Sequence, residues 1–375
     1  MEPFKNLLGA AVVRDCAHHL ARAWPPFDAR RFESLASHGL EALELKARVE
    51  HIADALEQTL PAQFDQAARI LEASLAPAPT DDSLDAPRSP GAGLAGWAVW
   101  PLTSYVARAG LATPQRALLA LHAMTQRSTA EFAVRPFLVH HTDLTLRQLE
   151  TWTQDPSPHV RRLVSEGSRP RLPWGLQLKA LIADPRPTLP LLRALQDDAS
   201  EYVRRSVANH LNDIAKDHPA IVVDWVREHL PGAPPARVLL LKHASRSLVK
   251  QGHAPMLRLW GVAARLRGTV GLALSKRRVK VGESLELRLT LSSDSARVQK
   301  LAVDYAVHHV KANGKTSAKV FKGWVIALAP GQMRALRKTH SMKPVTTRRY
   351  HAGRHEVDIR VNGIAMASAG FDLRL

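Results

Sequence analysis

Apolar residues recur at helical spacing over the first part of the chain. Between residues 6 and 75, leucine and alanine dominate and fall on one face of each predicted helix. Examples of this spacing are Leu40, Leu43, Ala47, Ile52 and Leu56. Prolines at 25–26 and 61 divide the stretch into separate helices. The pattern therefore predicts a mainly α-helical N-terminal region.

A loop and a second helical stretch follow. Residues 76–93 are rich in Pro, Gly, Ser and Asp and predict a long surface loop. Helix signals resume at residue 113 and continue to 267. Within that stretch the chain is broken by Asp155-Pro156, Asp184-Pro185, His218-Pro219 and Pro234-Pro235.

An internal repeat lies within the second helical stretch. The segments 155–166 (DPSPHVRRLVSE) and 198–209 (DASEYVRRSVAN) share an Asp, then Val-Arg-Arg, then Val, at an offset of 43 residues. This period is typical of HEAT repeats, in which stacked helix pairs form a curved solenoid. In each copy we expect the Asp to start a helix and the arginines to line one face. Residues 239–250 resemble a more degenerate third copy.

The pattern changes at Gly268. Over residues 269–375 apolar and polar residues alternate with a period of two, as from Ser284 to Leu291. Asn-Gly and Pro-Gly pairs at 313–314, 330–331 and 362–363 indicate turns between about seven short strands. The sequence thus predicts a HEAT-like repeat solenoid over residues 1–267, followed by an all-β immunoglobulin-like sandwich over 268–375.

Charge indicates a polyanionic partner. The 375-residue chain has 52 Lys and Arg against 34 Asp and Glu, a formal net charge of +18. The net charge rises from −3 over residues 1–150 (14 basic, 17 acidic) to +8 over 151–267 (18 and 10) and +13 over 268–375 (20 and 7). We therefore place the polyanion surface on the middle and C-terminal parts. A membrane surface is disfavoured, because no basic stretch is also a long amphipathic helix with a broad apolar face.

Several other chemistries are disfavoured. Cys16 is the only cysteine, which excludes an intrachain disulfide and a thiolate zinc site and fits a reducing cytoplasm. The histidine pairs at 140–141 and 308–309 have neighbours that point apart and no third ligand at suitable spacing, so we predict no metal. No nucleotide-binding motif occurs, and we expect no cofactor. Because no apolar run approaches about 18 residues and no signal peptide opens the chain, we expect a cytoplasmic protein.

Two segments carry a family resemblance: SEGSRPRLPWG at 165–175 and NHLNDIAKDHP at 209–219. With these motifs the chain resembles the AlkC branch of the AlkC/AlkD DNA glycosylases, over essentially its whole length. That family is built from HEAT-like repeats, and this branch can add a C-terminal immunoglobulin-like domain. The resemblance implies monofunctional excision of 3-methyladenine, and for this branch 3-methylcytosine, from double-stranded DNA. A monomer is the default expectation.

Three carboxylates are the candidate catalytic residues. An N3-methylated base is cationic, so its glycosidic bond is already weakened, and the enzyme must stabilise an oxocarbenium-like sugar and orient a water. Glu131, Glu166 and Asp213 match the family's motif positions, with Glu131 in an apolar stretch (AEFAVRPF) that predicts a helix. In the repeat frame Glu166 corresponds to Asn209, so Asp213 lies one helical turn further and both can face one wall. The alternative is a helix cap or an ion pair with Arg162 or Lys216.

The remaining candidates are expected to bind DNA. Trp174, on a loop flanked by proline, is suited to stack on a deoxyribose or base, and the resemblance places it in the lesion cleft; a hydrophobic contact beneath the loop is the alternative. Phosphate contacts would fix the register of DNA without reading its sequence. The candidates for these contacts are Arg161, Arg162, Arg169, Arg171, Arg204, Arg205, Lys276, Arg277, Arg278, Arg348 and Arg349. A solvated repeat face, and a merely stabilising C-terminal domain, are the alternatives.

Three classes of function fit the repeat architecture. They are a glycosylase, a catalytically silent repeat protein that binds DNA or RNA, and a protein-interaction solenoid. Charge and fold fit the first two equally well. Carboxylates on a phosphate-binding face oppose binding, so their presence favours the enzyme, while a protein-interaction role leaves the C-terminal charge unexplained. Access to the base by flipping or within the stack stays open.

Overall fold

A computed structural model of the chain describes residues 4–79, 89, 91–262, 265–345 and 348–375. Helices account for the regular structure up to Leu259, and strands follow from Val270 onward. The predicted succession of a helical repeat region and an all-β region is confirmed. Residues 80–88 and 90 of the predicted loop lie outside the described residues. None of the helices in the described part is both long and apolar enough to cross a membrane.

The helical elements are short, as expected for a repeat protein. The α-helices are α1 (Ala10–Ala23), α2 (Ala29–Ser37), α3 (Leu45–Thr59), α4 (Phe64–Ala73), α5 (Val99–Ala109), α6 (Pro114–Thr125), α7 (Arg135–His140), α8 (Thr142–Trp152), α9 (Pro158–Gly167), α10 (Lys179–Ala183), α11 (Leu189–Leu195), α12 (Glu201–Ile214), α13 (Pro219–His229), α14 (Pro235–Ala244), α15 (Arg246–Gln251) and α16 (Ala254–Leu259). Single 3₁₀ turns occupy Phe4–Leu7, Leu40–Ala42, Gly96–Ala98 and Arg186–Thr188.

The chain divides into two compact units. The first unit contains the residues up to His218 together with Gly232–Ala244, and the β unit contains Pro219–Pro231 and Ser245–Leu375. Helices α13, α15 and α16 therefore group with the β-structure, whereas α14 groups with the repeats. The domain boundary at residues 267 and 268 stays a prediction, as does the third repeat copy, whose segment includes the division between Ala244 and Ser245.

The two clear repeat copies start their helices in the same way. In the first copy, Asp155 Oδ1 accepts the backbone N–H of Ser157 at 2.8 Å. In the second copy, Asp198 Oδ1 accepts the N–H of Ser200 at 2.9 Å. An aspartate that bonds the backbone two residues ahead turns the chain and frees the next residues to start a helix. Each Asp therefore forms the turn that leads into the helix of its copy, α9 or α12, while Ser157 or Ser200 takes the N-cap position that the sequence analysis expected for the Asp.

The β unit contains two sheets. Its strands are β1 (Val270–Leu274), β2 (Arg278–Lys280), β3 (Ser284–Ser292), β4 (Gln299–Val310), β5 (Thr316–Leu328), β6 (Met333–Ser341), β7 (Gly353–Val361) and β8 (Ile364–Arg374). One sheet has the order β1-β3-β6 and the other the order β2-β8-β7-β4-β5. All pairs are antiparallel except β2 with β8. The inward residues of both sheets form one apolar core, as in a sandwich. The described residues thus contain one strand more than the seven predicted.

Three histidines are buried within the sandwich. The rings of His309 and His355 lie edge to face with centroids 5.6 Å apart, and His340 Nδ1 bonds the hydroxyl of Tyr305 at 3.1 Å. Arg348 donates to His309 Nε2, so that ring must be neutral at this nitrogen. Burial, reinforced by Arg348, lowers the pKa of His309 to about 3 and that of His340 to about 4.

Acidification is expected to destabilise the protein through these histidines. Their pKa values in the folded chain lie below the value of about 6.5 in an unfolded one. Their contribution to stability is therefore complete above about pH 6.5 and is lost as the pH falls toward 4. Calorimetric unfolding between pH 7.5 and 4.5 should show the loss, and His309→Phe should make it shallower. Parallel pH profiles of variant and wild type would contradict this account.

Candidate active site

Four of the sequence-predicted residues meet at one cleft of the first unit. The cleft has a volume of about 520 Å³ and lies among the N-terminal end of α5, the turn before α7, the end of α9 and the loop after it. The predicted residues that line it are Glu131, Glu166, Arg169 and Trp174. The fold therefore brings residues that are far apart in sequence, from Gly96 to Trp174, to one concave surface, as a binding site requires.

An aromatic wall faces these residues, and sequence reasoning missed it. The rings of Trp100 and Phe132 are stacked with centroids 5.3 Å apart, and Trp97 lies 6.0 Å from Trp100. All three line the cleft. The available signal was two tryptophans three residues apart, directly after the Pro- and Gly-rich segment. Because π faces attract cations and exclude water, the wall suits a cationic ring or a sugar face.

Glu166 is the most tightly held carboxylate of the cleft. It is 5% exposed; its Oε1 accepts Arg169 Nη1 at 2.5 Å, and its Oε2 accepts the Ser206 hydroxyl at 2.6 Å. Burial alone would raise the pKa of Glu166, but Arg162, Arg169 and the Ser206 hydrogen bond outweigh it and hold the pKa below its ordinary value. Glu166 is therefore an anion at neutral pH, as a group that stabilises positive charge must be.

Asp213 lies one layer beneath the cleft. The residue is 1% exposed; its Oδ2 accepts Arg169 Nε at 2.8 Å, and its Oδ1 accepts Lys216 Nζ at 2.7 Å. Arg169 thus bridges Glu166 on α9 and Asp213 on α12. The repeat frame predicted that both carboxylates share one wall, and they do share this guanidinium. In this arrangement Asp213 reaches the cleft through Arg169.

Glu131 stands on a turn rather than on the predicted helix. The turn spans residues 131–134, and α7 starts only at Arg135, with Pro136 in its first turn, where proline is tolerated. The apolar spacing was a misleading helix signal here, because the apolar residues pack around a turn. Thr129 Oγ1 and Arg162 Nη1 both donate to Glu131 Oε2, at 2.8 and 2.7 Å. In the part of the chain that the structure describes, the side-chain hydrogen bonds of Glu131 all reach this oxygen.

Two of the arginines predicted to bind phosphate are engaged inside the protein. The side chain of Arg169 is only 8% exposed and pairs with Glu166 and Asp213. Arg162 pairs with Glu131 and lies over the ring of Tyr202, 4.9 Å from its centroid. Their carboxylate partners raise the pKa of both guanidinium groups, against the effect of burial. A buried carboxylate needs such a partner. The ion pairs that the sequence analysis gave as the alternative are both present, Glu166 with Arg162 at 3.7 Å and Asp213 with Lys216 at 2.7 Å, whereas the pairing of both carboxylates with Arg169 was not anticipated. Phosphate contact by Arg162 and Arg169 stays a prediction.

The other predicted phosphate contacts differ in exposure. Arg161 forms a two-pronged ion pair with Asp198 at 2.6 and 3.0 Å, and Arg204 donates to backbone carbonyls at the start of α12. Arg171 forms a two-pronged pair with Asp217, and Arg348 bonds His309. The members of the set that are exposed to solvent are Arg205, Lys276, Arg277, Arg278 and Arg349. Lys276 also lies 3.4 Å from Glu283. Exposure leaves these five residues accessible to a phosphate, and phosphate contact by them stays a prediction.

Trp174 stands in a strained turn at the mouth of the cleft. The N–H of Gly175 donates to the carbonyl of Leu172 at 3.2 Å, and Pro173 fixes the second turn position at negative φ. Trp174 takes the third position with a φ of 64°, which a type II turn normally reserves for glycine. Its side chain is 66% exposed. Burial of the indole does not explain this conformation, and the role of Trp174 in the lesion cleft stays a prediction.

We expect the strain at Trp174 to reverse the usual order of alanine and glycine. Trp174→Gly should be more stable than Trp174→Ala by about 1 kcal/mol, because a Cβ is unfavourable in the left-handed region and glycine is not. At the exposed helical residue Glu150, alanine should instead be the more stable of the two by roughly 0.5–1 kcal/mol. Urea unfolding of the four variants measures both differences. The same order at both positions would show that the turn is unstrained.

No cluster of three histidine, cysteine, aspartate or glutamate side chains suited to a metal ion occurs among the described residues. His141 Nε2 bonds the carbonyl of Leu111, and His308 pairs with Asp358. The ring of buried His210 bonds the carbonyl of Ser165 through Nδ1 at 2.9 Å, and burial lowers the pKa of this histidine to about 4. His210 is therefore a neutral ring that is hydrogen-bonded to the backbone of α9.

Comparison with known proteins adds three findings. Residues 269–375 match the family model described as the C-terminal Ig-like domain of the uncharacterised protein YhaZ. The whole chain is 36% identical to the uncharacterized protein YhaZ of Bacillus subtilis (strain 168), with 100% of both chains covered. It is also 36% identical to Pseudomonas fluorescens alkylpurine DNA glycosylase AlkC, solved bound to DNA containing an abasic site analog, with 100% of both chains covered and a TM-score of 0.89.

Proposed function

The chain belongs to the family of the alkylpurine DNA glycosylase AlkC, and we propose that it hydrolyses the N-glycosidic bond of cationic N3-methylated bases in double-stranded DNA. The substrates are 3-methyladenine and 3-methylcytosine, and the enzyme acts as a monomer. The observation that carries the proposal is the cleft in which Glu131 and Glu166 face an aromatic wall. A repeat protein that only bound phosphates would gain nothing from two carboxylates at that place.

The carboxylates stabilise the positive charge that develops on the sugar as the base departs. As the bond between the sugar and the base breaks, its electron pair neutralises the cationic base, and the positive charge moves to the sugar. Glu131 and Glu166 stabilise that charge in a cleft whose aromatic wall excludes water. A water then forms the new bond to the sugar carbon and gives its proton to a carboxylate, which leaves a free base and an abasic site. No acid needs to protonate the leaving group.

The three carboxylates have different tasks in this scheme. Glu131 holds Thr129 and Arg162 with Oε2 and offers Oε1 to the sugar or the water. Glu166, held by Arg169 and Ser206, contributes fixed negative charge. Asp213 and Lys216 hold the other side of Arg169, so Asp213 maintains the orientation of Glu166 rather than contacting the sugar.

Release of bases from methylated DNA tests the proposed function. Duplex DNA treated with a methylating agent is incubated with excess enzyme, and free bases are identified by mass spectrometry while DNA binding is followed separately. Free 3-methyladenine with an equal number of abasic sites is the expected result. Tight binding without release of any base would overturn the proposal and leave a repeat protein that binds nucleic acid.

The β unit is proposed to contact the DNA backbone through its exposed arginines. Arg277 and Arg278 line a cavity of about 810 Å³ together with Arg354, and Asp372 is the acidic residue of its lining. Arg354 Nη1 lies 3.5 Å from Asp372 Oδ1, a weak exposed ion pair that a phosphate can replace. Because the cavity is wide and carries an excess of positive charge, it suits a phosphate rather than a neutral ligand.

Loss of these arginines should change the salt dependence of DNA binding. Each phosphate contact contributes about 0.9 to the slope of the logarithm of affinity against the logarithm of salt concentration. The double variant Arg277→Ala/Arg278→Ala should therefore lower the slope by about 2, with no preference for any sequence. The matched control, Lys311→Ala/Lys315→Ala, removes the same charge from the turn between β4 and β5. Equal slopes for both double variants would refute the assignment.

A further inference from the structure

The turn that presents Trp174 is held by cations from two helices far away in sequence. From α3, Lys46 Nζ donates to the carbonyl oxygen of Trp174. From α7, Arg135 Nε donates to the carbonyl of Leu176 at 2.6 Å, and its Nη1 donates to the carbonyl of Gly167 at 2.8 Å. The segment between residues 167 and 176 is thus fixed at both ends and at its apex. It is the segment that also supplies Arg169 to the cleft.

Arg135 is placed where a cation is costly. Its side chain is fully buried, and Nη2 has no hydrogen-bond partner in the described structure. Its two hydrogen-bonding nitrogens reach backbone carbonyls instead of a carboxylate, although Glu131, Glu166 and Asp213 are near enough to influence it. A buried guanidinium bound only to carbonyls adds little stability compared with an apolar side chain of the same size. Its placement is explained if the shape of the loop matters more than stability.

The same arginine accounts for the strained residue. A Cβ at position 175 would lie 3.3 Å from Arg135 Nε and 3.1 Å from the side chain of Leu172, tighter than an ordinary contact, so glycine fits best there. Gly175 is the only glycine of the turn and takes its fourth position. The third position, where φ is positive, is therefore occupied by Trp174. Lys46 then binds the carbonyl of that strained residue. The two cations and the glycine are thus all in contact with the backbone of the turn that carries Trp174.

We propose that Lys46 and Arg135 are positioning residues that hold the Trp174 turn in the geometry that the reaction needs. The inference rests on the proposed function and adds to it that Trp174, which lines the same cleft, contacts the lesion nucleotide. Neither cation touches the nucleotide in this scheme. Both act through the backbone of the turn, so their loss misplaces the indole without removing it.

Fluorine NMR of the full chain labelled with 5-fluorotryptophan tests the position of the indole directly. The chain has eight tryptophans, and Trp174→Phe assigns the resonance of interest. Lys46→Met should shift or broaden the Trp174 resonance and lower the rate of 3-methyladenine release about ten-fold or more at saturating enzyme, because small misplacements of a positioned group are costly. Lys46→Arg should restore both. Lys179→Met, which removes an exposed lysine from the start of α10, is the matched control and should change neither.

Arg135→Lys gives a second test, since lysine keeps the charge but cannot span two carbonyls with a planar fork. It should disturb the Trp174 resonance as Lys46→Met does; if it does not fold, Lys46→Met carries the test alone. An unchanged Trp174 resonance and release rate in Lys46→Met would overturn the inference. The NMR experiment involves no chemistry, so a wild type that released no base would overturn the proposed function while the positioning of Trp174 could still be measured.

Discussion

Replacing Glu131 or Glu166 by glutamine is expected to slow single-turnover release of 3-methyladenine by about a hundred-fold or more, while affinity for the same DNA changes by no more than a few-fold. The substitution keeps the shape of each side chain and removes its charge. Loss of one preorganised group that stabilises developing charge typically costs a factor of about 10²–10³ in rate. The positive charge on the sugar exists only near the transition state, so binding of intact DNA is largely unaffected.

Two further variants make this experiment specific. Glu150→Gln removes a carboxylate from an exposed position on α8 and should leave release unchanged. Asp213→Asn should slow release as well, but it should also lower the free energy of unfolding, because it removes a partner of buried Arg169. If Glu131→Gln and Glu166→Gln released the base at the wild-type rate, the roles assigned to these two residues would be refuted, although the proposed glycosylase function would stand.

Removing Arg169 is expected to have the largest effect on stability. Arg169→Met leaves Glu166 and Asp213 buried without the guanidinium that bridges them, and breaking a buried pair by removing one partner costs about 3–5 kcal/mol. Arg171→Met is the matched control two residues away, because its pair with Asp217 is more exposed and its loss should change the free energy of unfolding far less. Urea unfolding at pH 7.5 measures both free energies.

The loss in free energy of unfolding caused by Arg169→Met should become smaller as the pH falls toward 5. Arg169 is one of the groups that hold the pKa of Glu166 below its ordinary value, so without this guanidinium the pKa of Glu166 rises and the buried carboxyl binds a proton more readily in the folded state. Protonation of Glu166 removes a buried negative charge that has lost its nearest cation, and so reduces the destabilisation of the variant. Equal losses for Arg169→Met and Arg171→Met at pH 7.5 would show that the bridge is not a stability element.

The fold followed from the sequence because its signals are local. Periods of three to four and of two residues separate the helical region from the strands, and the Asp of each repeat copy forms its turn with a residue two positions away. The site was less predictable because its contacts are long-range. Motif matching identified Glu166 and Trp174, but no local pattern reveals that Arg169 spans α9 and α12 and thereby buries Asp213.

The errors at the site have the same origin. The apolar stretch around Glu131 predicted a helix, since spacing alone cannot distinguish a helix from a turn whose apolar residues pack inward. Trp97 and Trp100 follow a loop-like segment and were not assigned a role, because their meeting with Phe132 depends on how helices stack. Arg162 and Arg169 were predicted to bind phosphate, but they also pair with Glu131 and Asp213, which lie 31 and 44 residues away in sequence.

The ion pair between Arg161 and Asp198 joins the helix of the first repeat copy, α9, to the aspartate that forms the turn before the helix of the second copy, α12. Solenoid repeats ordinarily contact only their neighbours and can open one at a time, so the spacing between groups on successive repeats is free to fluctuate. Here a two-pronged link crosses the junction between the copies that carry Glu166 and Asp213. We therefore expect the amide hydrogens of the two copies to exchange together, as in one cooperative unit of unfolding. DNA bound to these copies would then contact two repeats whose spacing is fixed.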